Sequence, residues 1–388
     1  MPASPSTARA INDRLALRLL QREGPLTASQ LKALTGLSRP TVADLVERLQ
    51  ESGLVRVVGE AGEQRRGPNA RLYGIAADRA HLAALDVRTK GISVVVADLL
   101  GATLAEAALP IGSDTGTEPA VEQAVALLER TARGAGVDRL HSVGVGAPGL
   151  IDPGTGELRD SVKLPAWHRR LVVALQERLS AAVLVENETN LAAVAEQRLG
   201  AARDLDDFVL LWLGQGVGAA VVLGGALRRG ASGGAGEIGF LPVPGTGGLP
   251  SATGCGAGFH TLAGAAAIRE LARVHGIDGD AEQAVRAAAS DECDGGPADA
   301  FLDALAERLA VGVAAVAAVL DPGCVVLGGE VGHAGGTRLA SRVEARLGAL
   351  SPVRTRVRPA ELGGQAVLRG AVLTARDAAQ AELFAPAP

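Results

Sequence analysis

The chain has 388 residues, enough for two or three domains with proper cores, and its formal net charge of −5 is unevenly spread. Residues 1–76 carry 11 basic against 7 acidic side chains and the remainder 27 against 36, so a head of +4 precedes a body of −9, which suits phosphate contact at one end only. The longest strongly apolar run, residues 309–320, is too short for a membrane span, the polar N-terminus lacks a secretory pattern, and Cys255, Cys293 and Cys324 are too scattered for a disulfide framework; a cytoplasmic protein is expected.

In chain order, Leu15, Leu19 and Leu20 predict an amphipathic helix over about residues 11–22. Thr27 and Gln30 stand in capping-box register ahead of Leu31 and Leu34, so a short helix starts at Thr27 and stops near Gly36. Ser38 caps the next helix, whose first turn tolerates Pro40 and whose Val42, Leu45, Val46 and Leu49 recur on one inward face. The outward face carries Ser38, Arg39, Thr41, Asp44 and Arg48, and its N-terminal end is where a helix in the major groove reaches base edges and phosphates. LVRVV and RLYGI then read as two strands around a polar turn, a wing bearing Arg65 and Arg66. This order of elements is a winged helix-turn-helix and makes double-stranded DNA the expected partner; a three-helix protein-interaction module is the alternative.

From about Arg79 the grammar becomes strand, glycine turn, helix, and the 51 glycines with few aromatics fit an α/β body. Two strands joined by a turn over residues 81–101 precede a helix at about 118–135. SVGVGAPGL is a buried strand ending in a glycine-proline loop, VLVENETNLAAVAEQRLG a strand, polar loop and helix, and VLLWLGQGVGAAVVLGG a strand pair. A mostly helical region over 256–319 leads to CVVLGGEV, a last buried strand. Two such sets imply a duplicated lobe with a cleft between the halves.

GVGAPGLIDPGTG, VENETNLAAVAEQRLGAARDLDDFV, LGQGVGAAVVLGGALRRGASGGAGEIG and LDPGCVVLGG occur in an order that resembles the ROK family of repressors, open reading frames and sugar kinases. The resemblance covers nearly all of residues 79–384. It implies α/β architecture: an N-terminal winged helix-turn-helix (1–76) followed by a two-lobed actin-like ATPase fold (77–388), the C-terminal helix returning to the first lobe.

The departures from the family's kinases bear on function. Those kinases open the body with Asp-x-Gly-Gly-Thr, whose bare backbone approaches ATP phosphates; here the run is Asp86, Val87, Arg88, Thr89, Lys90. Arg88 or Lys90 either contacts an anion or stands as a solvated charge. The kinases' Asn-Asp pair is Asn187 and Glu188, and the extra methylene moves the carboxyl group by about a bond length, where roughly 1 Å of misplacement costs on the order of a hundredfold. Glu188 therefore contacts ligand, caps the following helix or pairs with an arginine. Glu-x-Gly-His survives as Glu237, Ile238, Gly239, Phe240, and of the zinc-binding cysteines only Cys255 clearly remains. Cys255 with His260 leaves a tetrahedral zinc two ligands short, so no metal cofactor is expected. Phe240 and Phe259 fill the vacated volume, or the loop is mobile. Lys163 stands where the family keeps a sugar-binding Asn; it favours an anionic ligand or points to solvent.

These features predict a DNA-binding regulator, a repressor with a sugar or sugar-phosphate effector near Asn187, Glu188, Glu237 and Lys163, and no catalytic residues. Half-site recognition predicts an even homo-oligomer, dimer or tetramer. The alternatives are a regulator with a vestigial cleft controlled by a protein partner, and an ATP-dependent sugar kinase.

Overall fold

The computed structural model describes residues 5–61, 70–159, 164–244, 246–251, 256–290 and 295–385. The head comprises α1 (Pro5–Glu23), β1 (Leu26–Thr27), α2 (Ala28–Thr35), α3 (Arg39–Glu51), β2 (Val55–Ala61) and β3 (Ala70–Ile75). The local signals act as read. Thr27 accepts from the Gln30 N–H while Gln30 accepts from the Thr27 N–H, and Gly36 closes α2 at φ 71, a left-handed conformation that glycine adopts without strain. Ser38 Oγ accepts the Thr41 N–H at 3.3 Å, and Val42, Leu45, Val46 and Leu49 are buried. The strands are ordered β1-β3-β2, and β2 of the wing contacts α3.

Two expectations for the head need correction. Helix α1 begins at Pro5, well before residue 11, because Thr7–Ala10 propagate it without an apolar stripe. Its inward residues are Ala16, Leu17, Leu19 and Leu20, whereas Leu15 is 39% exposed, and in α2 Leu34 is likewise exposed.

The body stacks two five-stranded sheets. The first lobe holds β4 (His81–Arg88), β5 (Gly91–Asp98), β6 (Thr103–Pro110), α4 (Thr117–Gly134), β7 (Ser142–Ala147), α5 (Ala166–Arg178), β8 (Ala182–Asn187) and α6 (Glu188–Leu199), with strand order β6-β5-β4-β7-β8. The second holds β9 (Phe208–Leu213), β10 (Val217–Leu223), β11 (Ala226–Arg228), α7 (His260–Ala263), α8 (Ala265–Val274), α9 (Ala281–Ser290), α10 (Pro297–Leu320), β12 (Cys324–Gly328), α11 (Gly329–Leu350) and β13 (Arg356–Pro359), ordered β11-β10-β9-β12-β13. The last helix, α12 (Ala366–Leu383), returns to pack on β4, β7 and α6.

Three apolar clusters define the layers. Helices α4 and α5 cover the outer face of the first sheet, α8–α11 that of the second, and α6 and α12 lie between the sheets. In both lobes three strands are parallel, β4-β7-β8 and β9-β12-β13. Open parallel sheets bind ligands beyond the carboxyl ends of their strands, and here both sets of ends face one cleft. Strands β6 and β13 were not expected from sequence: β6, TLAEAALP, has Thr103 as its single β-branched residue, and β13 carries two arginines and a proline at a sheet edge.

Candidate functional site

On the head, Arg39 and Asp44 are exposed, Thr41 is half-buried and Ser38 is spent on the cap. Arg48 departs from the expected outward face. Its Nη2 donates to Asp13 Oδ1 of α1 at 2.7 Å and its side chain is one-third exposed, so it braces α3 against α1. The signal for this was non-local, since Asp13 lies 35 positions away. Arg65 and Arg66 lie outside the described residues.

The head joins the body directly. The Ala76 N–H donates to the Leu54 carbonyl (2.9 Å), the Leu99 N–H donates to Ala77 (2.9 Å), and Arg56 Nη1 of the wing reaches both oxygens of Asp78 at 2.9 Å. That hydrogen bond holds the Asp78 carboxyl below its ordinary pKa.

In the cleft, strand register sets the side chains at one level: Asp86 lies opposite Gly146, Gly146 opposite Glu186, and Gly328 opposite Trp212. Arg88 is no solvated charge. Its Nε donates to Asp86 Oδ1 at 2.7 Å, its Nη1 to Glu330 Oε1 at 2.6 Å, and its guanidinium carbon lies 5.6 Å from the Trp212 ring centroid. Burial opposes the Arg88 charge, but Asp86, Glu188 and Glu330 outweigh it and raise the pKa; burial raises that of Asp86. Buried His168 places Nε2 3.2 Å from the Arg88 carbonyl, and desolvation lowers its pKa to about 4, so the ring is neutral near pH 7.

Asn187 is the helix cap: its Oδ1 accepts the Thr189 N–H and its Nδ2 donates to the Gly149 carbonyl, both at 2.8 Å. Glu188 occupies the first turn of α6, half-buried, with Arg88 as its near cation and no hydrogen bond from any described residue to its carboxyl group. Burial raises its pKa to about 7, Asp86 and Glu330 adding to the rise and Arg88 opposing it. Sequence reading missed Glu186, whose Oε1 accepts from the Asn187 N–H and Asn190 Nδ2 and whose Oε2 accepts Arg229 Nε at 2.6 Å. Glu237 stands open to solvent at the cleft wall, its pKa raised by partial burial. Lys163 lies outside the described residues.

Around the family's zinc loop, Phe259 is fully buried and its ring occupies the space that a Cβ on Gly312 of α10 would fill. Phe240 meets His260 edge-on at 5.4 Å, and the His260 ring packs onto the bare Gly239. Packing therefore holds this segment; Cys255 lies outside the described residues. A second concavity, about 840 Å³, is an open groove along α11 and the loop before β13, remote from these groups and lined by Ser341, Glu344, Gly348, Arg354 and Arg356. Its Glu344 is spent on the Val357 N–H, so the cleft is the better candidate site.

Comparison with known proteins agrees with this anatomy. A model of the ROK family matches residues 82–378, and one of the MarR family matches residues 11–67. The bifunctional enzyme NanE/NanK of Brucella suis biovar 1 is 40% identical over 193 residues, 50% of this chain and 34% of that protein. The DNA-binding transcriptional dual regulator NagC of Escherichia coli K12 is 26% identical over 243 residues, 61% of this chain and 58% of NagC. The matched region thus spans about a third to three-fifths of these relatives' length. A ROK family transcriptional regulator, a homolog of the E. coli MLC protein, shares the fold over 97% of this chain and 98% of its own, with TM-score 0.77 at 21% identity. A ROK family glucokinase from Streptomyces griseus, solved with glucose and AMPPNP, superposes on 77% of this chain and 100% of its own with TM-score 0.63 at 26% identity. Among the described residues no helix is long and apolar enough to cross a membrane.

Proposed function

The chain belongs to the ROK family, and we propose that it is a sequence-specific DNA-binding transcriptional regulator, a repressor, rather than a kinase. One observation carries the reading: a capped recognition helix is joined without slack to a kinase-like cleft whose phosphate-loop position is filled by Arg88, tied to Asp86 and Glu330. A bare glycine loop lets backbone amides approach phosphate; a paired guanidinium occupies that space. Glu188, where the kinases keep Asp, argues the same way.

Arg39 and Asp44 are the base-edge candidates of α3, and the head's excess positive charge serves the phosphates. The effector is a sugar or sugar derivative taken between Glu188 and Glu237, whose carboxyl groups accept hydrogen bonds from its hydroxyls. Such a ligand acts only through differential affinity for two arrangements of the lobes. We infer that the segment around Phe259 folds without zinc, a reading supported by the packing of Phe240 on His260 and of Phe259 against Gly312. Paired half-sites call for an even homo-oligomer.

A second reading, a regulator with a vestigial cleft, draws support from Glu186 and Asn187, whose polar side-chain groups already have partners within the protein. Genomic DNA captured by the purified protein, followed by gel shift of the best fragment with a panel of sugars and sugar phosphates, separates the readings. Release by one sugar supports the effector model. A tight site indifferent to all of them supports the vestigial cleft, and ATP-dependent sugar phosphorylation lost in Glu188→Gln would replace both with a kinase.

A further inference from the structure

The end of β4 carries a side chain that crosses from one lobe to the other. Asp86, which accepts Arg88 Nε, belongs to the same strand, but Glu330 lies in the first turn of α11 and Trp212 at the end of β9, both in the second lobe. The guanidinium suits this position. Its planar fork serves two carboxylates in one plane and leaves a face for the indole ring, a geometry that the tetrahedral donors of an ammonium group do not offer. The second lobe is shaped to match. A Cβ on Gly214 would lie 2.5 Å from Glu330 Oε2 and 3.0 Å from Trp212 Nε1, so the bare glycine seats both of Arg88's cross-cleft contacts. The strand end itself is held by His168 on the Arg88 carbonyl.

We propose that Arg88 is a tethered cation that latches the two lobes together from within: pairing with Glu330 and Trp212 holds the cleft closed without a nucleotide, and Glu188 is the acceptor that Arg88 takes up when the lobes part. Reversibility is built into the arrangement. Asp86 is 6% exposed and stays with Arg88 in either state, whereas Glu330 is 37% exposed and returns to water at little cost. Glu188, on the same lobe as Arg88 and without a hydrogen bond from any described residue, gives the freed guanidinium a partner. In the unliganded protein closure is then set by competition between two carboxylates for one arginine, and an effector held on Glu188 would bias that competition.

The test is the inter-lobe distance in the full chain. Nitroxides are placed at Val173→Cys on α5 and Val274→Cys on α8, both exposed positions, in a background of Cys255→Ser and Cys293→Ser, and read by pulsed dipolar spectroscopy. The unmodified latch gives one narrow distribution. Arg88→Met and Glu330→Gln each broaden and shift it, the double variant does no more than either alone because one contact is broken, and Glu188→Gln leaves it narrow. Glu330→Gln is isosteric at a partly exposed site, so it reports the latch even where Arg88→Met folds poorly. A wild-type distribution in Glu330→Gln, additive shifts in the double variant, or a distribution that Mg-ATP shifts in the wild type would each overturn the proposal.

Discussion

Glu196 offers the sharpest test of how the body is held together. It lies in α6 with no solvent exposure, and its carboxyl group accepts three backbone N–H groups: Ala201 at 2.8 Å, Glu361 at 3.2 Å and Leu362 at 2.8 Å. Two of these donors belong to the passage from β13 to α12, so one side chain ties the helix behind the cleft to the chain's return from the second lobe. Glu196→Ala strands all three donors. At about 1–3 kcal/mol for each buried donor left unmade, the sum is roughly 3–9 kcal/mol. A water admitted to the vacated volume re-satisfies one of them, which leaves a loss of about 4 kcal/mol. Glu196→Gln keeps the shape and the oxygen shared by Ala201 and Glu361 but turns an amide NH₂ toward the Leu362 N–H, for a loss of about 2 kcal/mol. Urea unfolding followed by far-UV circular dichroism measures both. An Ala variant within about 1 kcal/mol of wild type, or a Gln variant worse than Ala, would refute the assignment of these bonds.

Three further outcomes follow from the geometry. Arg48→Met, which removes the brace to Asp13 but keeps the apolar stem, costs about 1–2 kcal/mol in head stability and weakens operator binding without changing base preference; an altered preference in a binding-site selection would return Arg48 to the DNA face. Because the folded pKa of Glu188, about 7, is raised above the ordinary 4.5, the folded state holds the proton longer, so its contribution to stability is full below pH 4.5 and is lost as pH rises toward 7. Thermal melts from pH 4.5 to 8 read this slope, and Glu188→Gln flattens it. Phe259→Ala lowers stability by about 3–5 kcal/mol through the cavity it opens against Gly312; metal analysis finds no stoichiometric zinc, and a chelator leaves the melting temperature unchanged.

What was legible in the sequence was what depends on neighbours in sequence. The Thr27–Gln30 box, the Ser38 cap, the Gly36 stop and the Val42–Leu49 stripe act within a turn or two and stand where the residues placed them. The ordered glycine motifs likewise located the lobes. Partner choice among charges was not legible. Arg48 and Arg88 read as free cations because Asp13 and Glu330 lie 35 and 242 positions away, and only the fold brings them within 2.7 Å. Asn187 was read as a ligand group, yet its amide is engaged by Thr189 and Gly149. Strand β6 escaped notice because its alternation is carried by alanine and glutamate, whose solvent-facing pattern gives no apolar period.

The cleft and the head are linked by packed elements rather than by a tether. Helix α6 starts at the cleft with Glu188 and lies along α12, to which Arg198 binds it through Asp377 at 2.6 Å. Near its end α12 donates from Gln380 Nε2 to the Leu99 carbonyl at 3.0 Å, and the Leu99 N–H donates in turn to Ala77. Beyond Ala77, Asp78 grips the wing through Arg56, and the Ala76 N–H is fixed on Leu54. Residues 76–80 thus contribute hydrogen bonds to both sides and contain a 3₁₀ turn, so the junction is short and bonded at both ends. A movement of α6 and α12 against the first sheet must therefore move or strain this junction. On the proposed reading, with two such heads on one duplex, such a displacement would change half-site spacing, on which operator affinity would depend.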